Sequence, residues 1–482
     1  MYVFILIALT RNRPALRAAY KEISPMTYML RKLERPINEW IQRGCAQPLL
    51  LQGARRVGKT VLAEHIGLTS FDGNFVKVDF QTNLAQASSI YDWPTNDTGG
   101  IVRRISDYAG RPIEPHKTLI ILDEVQLCEQ ALNSLRFFAG TPWCVLATGS
   151  LLGVTTKKRK LPFPSDIHQL ELHPLDFEEY LWSIGERPMA QAIRTHTQDG
   201  SPYVLHNRAL DIYRRYLAVG GMPKAVDTYR QGGSFEDVAR IQEEIDATYT
   251  ADMTDPENGI SGISAKRIWD SLHNQLLRSS TKKFKYADVI RGGRRERLLE
   301  PLEWLDAAGI VTIHDLTCDD RAPIAPFNDE EGSYFKVYVA DTGLMFHKFG
   351  IDPRIFLDDS LRQVLSSDFR GALAENYVMQ ALNANEVNSY YWMQTNEVGN
   401  GEIDFIFQDR MARVIPIEVK SARNVQAKSL SRFMKEGRAP FAVRLSEQNF
   451  GIEPMKDSAA KMRSLPLYAA FCIENSPEFL EI

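Results

Sequence analysis

Eight consecutive residues, Gly53-Ala54-Arg55-Arg56-Val57-Gly58-Lys59-Thr60, fit G-x-x-x-x-G-K-[ST] at all four specified positions. Glycines at both ends let the main chain curl so that successive N–H groups face one point, the geometry a row of phosphates requires. Ala54, Arg55, Arg56 and Val57 form the wall of that curl, and the helix expected to start here, with Val61 in its first turn, adds the positive end of its dipole. Lys59 can reach the outer phosphates, and the Thr60 hydroxyl can ligate magnesium. The run Leu119-Ile120-Ile121-Leu122-Asp123-Glu124 ends an apolar strand in two carboxylates. In a parallel sheet, ligands gather at such carboxyl ends. Asp123 would hold magnesium through water, and Glu124 would polarise an attacking water as a general base does. Cys144–Ser150 is a further strand ending in hydroxyls, where Thr148 or Ser150 could orient the water or read the γ-phosphate. The same residues also suit a plain turn rich in small side chains.

A second constellation lies near the carboxyl terminus. Glu418-Val419-Lys420 on an apolar strand puts both charged side chains on one face, because alternate residues of a strand point the same way. Asp404 stands upstream on a strand expected to pair with it as a hairpin, and Glu375 sits on the preceding helix. Magnesium takes one or two carboxylates together with waters. Asp404 and Glu418 could hold it, Glu375 complete the set, and Lys420 stabilise an attacking hydroxide or the charged phosphorus transition state of phosphodiester hydrolysis. A salt-bridged strand pair, or a nuclease-like scaffold that does not cleave, fits the same residues.

The elements that must position these groups follow an alternating order. Short buried-strand candidates at Pro48–Leu51, Phe75–Phe80, Thr118–Leu122 and Cys144–Ala147 are separated by segments long enough for helices, the pattern of an α/β domain with a parallel sheet. Apolar residues at Met29, Leu33, Ile37 and Ile41 predict a helix before the first strand, kinked or split by Pro36. Residues 206–250 read as helical up to and beyond the break Gly220-Gly221-Met222-Pro223. From Ile263 to Val339, two helical stretches lead into alternating segments at Ile310–Leu316 and Tyr334–Val339, the order of a small winged helix. A helix near Ala372–Leu382 and strands near Glu402–Phe407 and Val414–Val419 follow.

The chain has 482 residues, 44% hydrophobic and 24% charged, which predicts several folded domains and excludes a disordered or fibrous protein. A net charge of −4 forces no polyanion or membrane partner, so any basic surface must be local. Residues 278–297 are such a place, with eight Lys or Arg against two acids. They suit DNA phosphates, a solvated helix face, or a patch docked on Asp315, Asp319 and Asp320. Five cysteines with no Cys-x-x-Cys pair argue against a disulfide framework or thiolate zinc site and for a reducing cytoplasm. Met1–Leu9 is too short to span a bilayer and lacks the basic start of a secretory signal, so residues 1–25 read as an extension upstream of an ordinary start at Met26 in preference to a membrane contact, and 1–27 precede the first domain.

Taken with LELHPLDFEEYL, YRRYLAVGGMPKAV, PLEWLDAAGIV, FKVYVADTGL, RGALAENYV, GEIDFIF and PIEVKSA, these motifs resemble the AAA-type bacterial and archaeal ATPases that carry a carboxyl-terminal domain of unknown function 4143. That domain is similar to PD-(D/E)xK nucleases. The resemblance covers about residues 28–445. It implies an α/β protein with an AAA+-like P-loop NTPase core at 28–205, a helical lid at 206–260 containing Val219–Pro223, a winged helix at 261–345 and a restriction-endonuclease-like α/β domain at 346–482. It further implies ATP and Mg2+ as cofactors, ATP hydrolysis, DNA as a partner and a homo-oligomer. One departure is the stretch Phe163–Ile167, where many relatives place a glycine and a basic residue. An arginine-finger role would then fall to Lys157–Lys160 or to Arg214/Arg215, or be absent, with slower hydrolysis as the consequence.

Overall fold

The computed structural model describes residues 28–150, 166–278, 282–327, 334–394, 401–421, 428–435, 439–455 and 460–475. The extension at 1–27, the basic run Lys157–Lys160 and Phe163–Ser165 lie outside the described residues. The chain divides into two compact units, Met1–Leu172 and His173–Ile482.

In the first unit the short apolar runs become strands β1 (Leu49–Gln52), β2 (Phe75–Asp79), β3 (Leu119–Asp123) and β4 (Cys144–Gly149), joined by β5 (His168–Glu171), which the sequence pattern did not reveal. All their pairings are parallel, and the order across the sheet is β2-β3-β4-β1-β5. Every residue of β3 and β4 is buried, which explains why these strands read as continuous apolar runs instead of alternating ones. One face is covered by Ile101, Val102 and Ile105 of the helix Thr98–Ala109 and by Leu132 and Leu135, packed on Val78, Ile120, Leu122 and Val145. Because β4 lies between β1 and β3, the loop after β1 and the carboxylates after β3 are separated by one strand, and whatever ends β4 stands between them. The predicted break at Pro36 does not occur. The helix Glu34–Gln42 starts just before it, so Pro36 falls in the first turn, where its missing N–H has no intrahelical partner to lose.

The second unit opens with the helix Phe177–Ser183, started by a reciprocal capping box between Asp176 and Glu179. Helices His206–Val219, Pro223–Arg230, Phe235–Thr254, Gly262–Arg278 and Arg295–Ala307 follow, then β6 (Val311–Thr317) and β7 (Phe335–Val339). The helix Ser367–Ala384 precedes β8 (Ser389–Trp392), β9 (Ile403–Gln408), β10 (Val414–Val419), β11 (Phe441–Ser446), β12 (Gly451–Pro454) and β13 (Lys461–Pro466). β6 and β7 do not stand apart as a separate ribbon. β6 pairs in parallel with β8, and the described strands form one eight-stranded sheet, β12-β13-β11-β10-β9-β8-β6-β7.

Three motif loops meet inside this unit. The Gly221 N–H donates to Asp341 Oδ2 at 2.6 Å, and its carbonyl accepts from Leu175 N at 2.7 Å. A Cβ on Gly221 would stand 2.0 Å from the Leu175 carbonyl oxygen, and one on Gly343 would stand 2.5 Å from the Gly220 backbone, so glycine is required by contact at both places. Asp341 is wholly buried, and burial pushes its carboxyl up to about 6 against the N–H groups of Gly221 and Leu344 that favour the charged form. Val219–Pro223, expected in a lid, is thus tied by its backbone to the segments 173–177 and 339–343.

Candidate functional site

The loop between β1 and the helix Lys59–Thr69 has the backbone a phosphate cradle needs. Gly53 (φ 142°), Arg56 (φ 70°) and Gly58 (φ 99°) all lie at positive φ, and a Cβ on Gly53 would meet the Leu172 carbonyl oxygen at 2.2 Å. Lys59 is 5% exposed, and its ammonium donates to the carbonyls of Gly53 (2.9 Å) and Ala54 (2.8 Å). Burial lowers it to about 8, opposed by the charges of Glu124 and Asp123. Arg31 holds the loop from outside by donating to the Val57 carbonyl at 3.0 Å.

β3 delivers Asp123 beside the start of this helix. The Thr60 hydroxyl donates to Asp123 Oδ1 at 2.8 Å, and Thr148, at the end of the intervening β4, donates to the same oxygen at 2.5 Å. Burial raises the Asp123 carboxyl, and these two hydroxyls pull it back down. Glu124 takes a left-handed conformation (φ 55°) that turns its side chain out of the strand. Its backbone N–H donates to Thr148 Oγ1 at 3.1 Å, while Ser150 Oγ and Gln126 Nε2 each donate to its Oε2 at 2.5 Å. Burial pushes the Glu124 carboxyl up, but Lys59, Ser150 and Gln126 together outweigh it and leave it below the usual range. Thr148 therefore touches both acids, one by donating and one by accepting. The donor set suits a magnesium–triphosphate complex, with an ammonium, a hydroxyl next to a carboxylate, and a second carboxylate held ionised. Gly53, Ala54, Arg55, Arg56, Val57, Gly58, Lys59, Thr60, Val61, Asp123, Glu124, Thr148 and Ser150 all lie in the first unit, on the loop after β1, the first turn of the helix Lys59–Thr69 and the ends of β3 and β4.

The carboxyl-terminal acids also come together, in a different form from the one the spacing suggested. Asp404 sits one step beyond the Phe405–Ile417 pair of the β9–β10 hairpin and accepts from Val419 N at 2.8 Å through Oδ2. Lys420 pairs with Glu418 Oε1 at 2.5 Å. Glu375 Oε1 is bonded by Lys282, and Oε2 faces the Tyr338 hydroxyl at 3.3 Å and Lys336 at 3.8 Å. Lys336, 1% exposed, also pairs with Glu402 Oε1 at 2.6 Å. Burial and the neighbouring charges of Glu375 and Glu418 push Asp404 up to about 8. Burial likewise raises Glu418, whose Oε2 has no hydrogen-bond partner. Among the described residues no group of three or more His, Cys, Asp or Glu is arranged to hold a metal ion. Of Glu375, Asp404 and Glu418, expected as a metal set, Glu375 pairs with Lys282 and Lys336 and Glu418 with Lys420, while Asp404 accepts from the Val419 N–H.

Family models place these two regions. One described as an AAA domain matches residues 46–181, one for a domain of unknown function, DUF8612, matches 210–355, and one for DUF4143 matches 370–460. The chain carries an AAA-type P-loop ATPase domain and a carboxyl-terminal DUF4143 domain. No curated protein matches it significantly. Similar solved structures include a RuvB mutant of Thermotoga maritima at 14% identity, covering 63% of this chain and 93% of that one with a TM-score of 0.27. Cdc6p from Pyrobaculum aerophilum shares 14% identity over 61% of this chain and 91% of its own, with a TM-score of 0.23. Drosophila ORC bound to DNA shares 12% over 67% and 94%, also with a TM-score of 0.23.

In the first unit, the sequence pattern missed Arg31 and Gln126, since neither belongs to a spaced motif. Beside the DUF4143 acids it missed Lys336, Glu402 and Tyr338. The signal for Lys336 was a lone lysine in the apolar run Phe335–Val339. Of the finger candidates, Arg214 is buried and pairs with Asp211 and Asp359 at 3.3 Å and Glu447 at 3.1 Å, all in the second unit, whereas Arg215 is exposed. The basic run splits. Lys282 turns in to Glu375, whereas Lys285, Arg291, Arg294, Arg295 and Arg297 are exposed. No helix among the described residues is long and apolar enough to cross a membrane, and no disulfide joins the cysteines.

Proposed function

We propose that the AAA domain binds Mg-ATP and hydrolyses it. The observation that carries this reading is the hydroxyl of Thr148, bonded to Asp123 and to the Glu124 backbone within the group that includes Lys59 and Thr60. Magnesium arriving with ATP would be held by Thr60 Oγ1 and, through water, by Asp123, and would neutralise charge on the phosphate oxygens. Lys59 exchanges its two carbonyl partners for β- and γ-phosphate oxygens, a gain because a charged acceptor makes the stronger bond. Glu124, kept ionised by Lys59, Ser150 and Gln126, accepts a hydrogen bond from the attacking water and aligns it with the γ-phosphorus. The N–H groups of the loop stabilise the charge that builds on the transferred group.

The nucleotide state is coupled to the second unit, in which the 261–345 segment, its β6–β7 pair continued into the larger sheet, sets Lys285, Arg291, Arg294, Arg295 and Arg297 against DNA phosphates. The free thiol chemistry of five cysteines suits a reducing cytoplasm. The test is ATP turnover by wild type and Lys59→Ala, with and without single- and double-stranded DNA. Turnover lost in Lys59→Ala and raised by DNA in wild type supports the reading; turnover equal in both proteins refutes it. A second reading, a nucleotide-gated switch with little hydrolysis, is favoured by the engagement of Arg214 in three ion pairs, which leaves it no part as a finger. A cation supplied by another copy in a homo-oligomer would restore fast turnover, so a steep dependence of rate on protein concentration separates the two.

A further inference from the structure

A nuclease-like hairpin bearing Asp404, Glu418 and Lys420 implies a divalent ion, and the residues around it in this chain do not fit one. Glu375 has both oxygens engaged, Oε1 by Lys282 and Oε2 by Tyr338 and Lys336. Asp404 Oδ2 is held by the Val419 N–H, and Glu418 Oε1 by Lys420. Lys336 rises from the middle of β7, entirely buried, with its ammonium 2.6 Å from Glu402 and 5.1 Å from the centre of the Tyr391 ring. A lysine is rarely buried unless it is paired, and an ammonium here answers the same negative field that would otherwise call for a metal. Lys282 and Lys336 both come from the segment upstream of the DUF4143 match, which begins at residue 370.

We propose that Lys282 and Lys336 hold Glu375 and Glu402, and Lys420 holds Glu418, in permanent ion pairs, so that the site takes no divalent ion and does not cleave phosphodiesters. Its chemistry is that of a buried lysine–carboxylate lock fastening the 282–339 segment to the helix Ser367–Ala384 and the β9–β10 hairpin. The unpartnered Glu418 Oε2 belongs to a carboxylate whose charge Lys420 already balances, so an ion arriving there would have to displace that ammonium.

The experiment is a Mn2+ titration of the nucleotide-free full-length chain, followed by calorimetry, on wild type and on Asp404→Asn/Glu418→Gln. Any weak binding at the AAA site is common to both and cancels. The proposal expects superimposable isotherms, the same melting shift with millimolar Mn2+ in both proteins, and no nicking of supercoiled DNA. One more ion per chain in wild type than in the double variant, or nicking abolished by Asp404→Asn, overturns it. Lys282→Met/Lys336→Met should gain one Mn2+ per chain, and should lose it again when Asp404→Asn is added. Failure of the folded lysine variant to gain an ion overturns the assignment. If burial of Lys336 makes that variant unfold, the comparison of wild type with Asp404→Asn/Glu418→Gln decides the question alone, one extra ion in wild type overturning the proposal and identical isotherms supporting it.

Discussion

Thr148→Val is the most searching perturbation of the AAA domain, because it removes one oxygen and leaves the shape almost unchanged. Thr148 is fully buried, and its hydroxyl donates to Asp123 Oδ1 at 2.5 Å while accepting from Glu124 N at 3.1 Å. Losing a hydrogen bond to a charged acceptor costs about 1.5–3 kcal/mol, and a buried donor left without a partner adds a penalty of similar size. Because the two share one atom they do not simply add, and about 2–4 kcal/mol is the expected destabilisation. Asp123 loses one of the two hydroxyls that hold its carboxyl down, so its pKa rises further and its hold on magnesium weakens. Denaturant unfolding followed through the first unit should show the lower midpoint at unchanged slope. ATP turnover should fall with a raised magnesium requirement, and Thr148→Ser, which keeps the oxygen, should recover both. A valine variant with wild-type midpoint and wild-type magnesium dependence would refute the bridging role of this hydroxyl.

Other outcomes follow from the same geometry. Glu124→Gln should retain ATP binding by calorimetry and lose steady turnover by about a hundredfold or more, the usual scale of a lost general base. Lys59 titrates near 8 without nucleotide, below its ordinary value, and a bound triphosphate must raise it. ATP binding above about pH 8 should therefore take up a proton, seen as a binding enthalpy that varies with the buffer, and Lys59→Ala should abolish the effect. For stability the sign is fixed by the same depression. The unfolded chain binds more protons between about 8 and the ordinary lysine value, so Lys59 disfavours folding at lower pH, and that penalty fades as pH rises through this window. Gly221→Ala places a methyl 2.0 Å from the Leu175 carbonyl oxygen and should lower the melting temperature of the second unit by an amount equivalent to about 1–3 kcal/mol, the usual cost of overpacking.

The AAA domain was legible because its signals are local. A loop with fixed glycines, a strand closing on Asp-Glu and a strand closing on hydroxyls each announce themselves within ten residues or so, and the parallel order then brings their ends together. β5 escaped because His168–Glu171 is a short edge strand with only Leu170 buried, which leaves no apolar run to notice. Pro36 misled because a proline breaks a helix only past its first turn, and the sequence pattern placed that turn too early. The DUF4143 cluster was half legible. Glu-x-Lys and the hairpin acid were visible from period-two spacing, but Lys282 and Lys336 reach it from far upstream through the β6–β8 pairing, a non-local contact no spacing rule encodes.

The pairing of β6 with β8 has a consequence for how this polypeptide can be divided. A cut between residues 345 and 367, natural on paper as a module border, would leave β8 with a bare flank and strip Glu375 and Glu402 of their buried cations. Neither piece would keep its surface or its charge balance, so the stretch from Lys282 to the last strand should unfold as a single cooperative block.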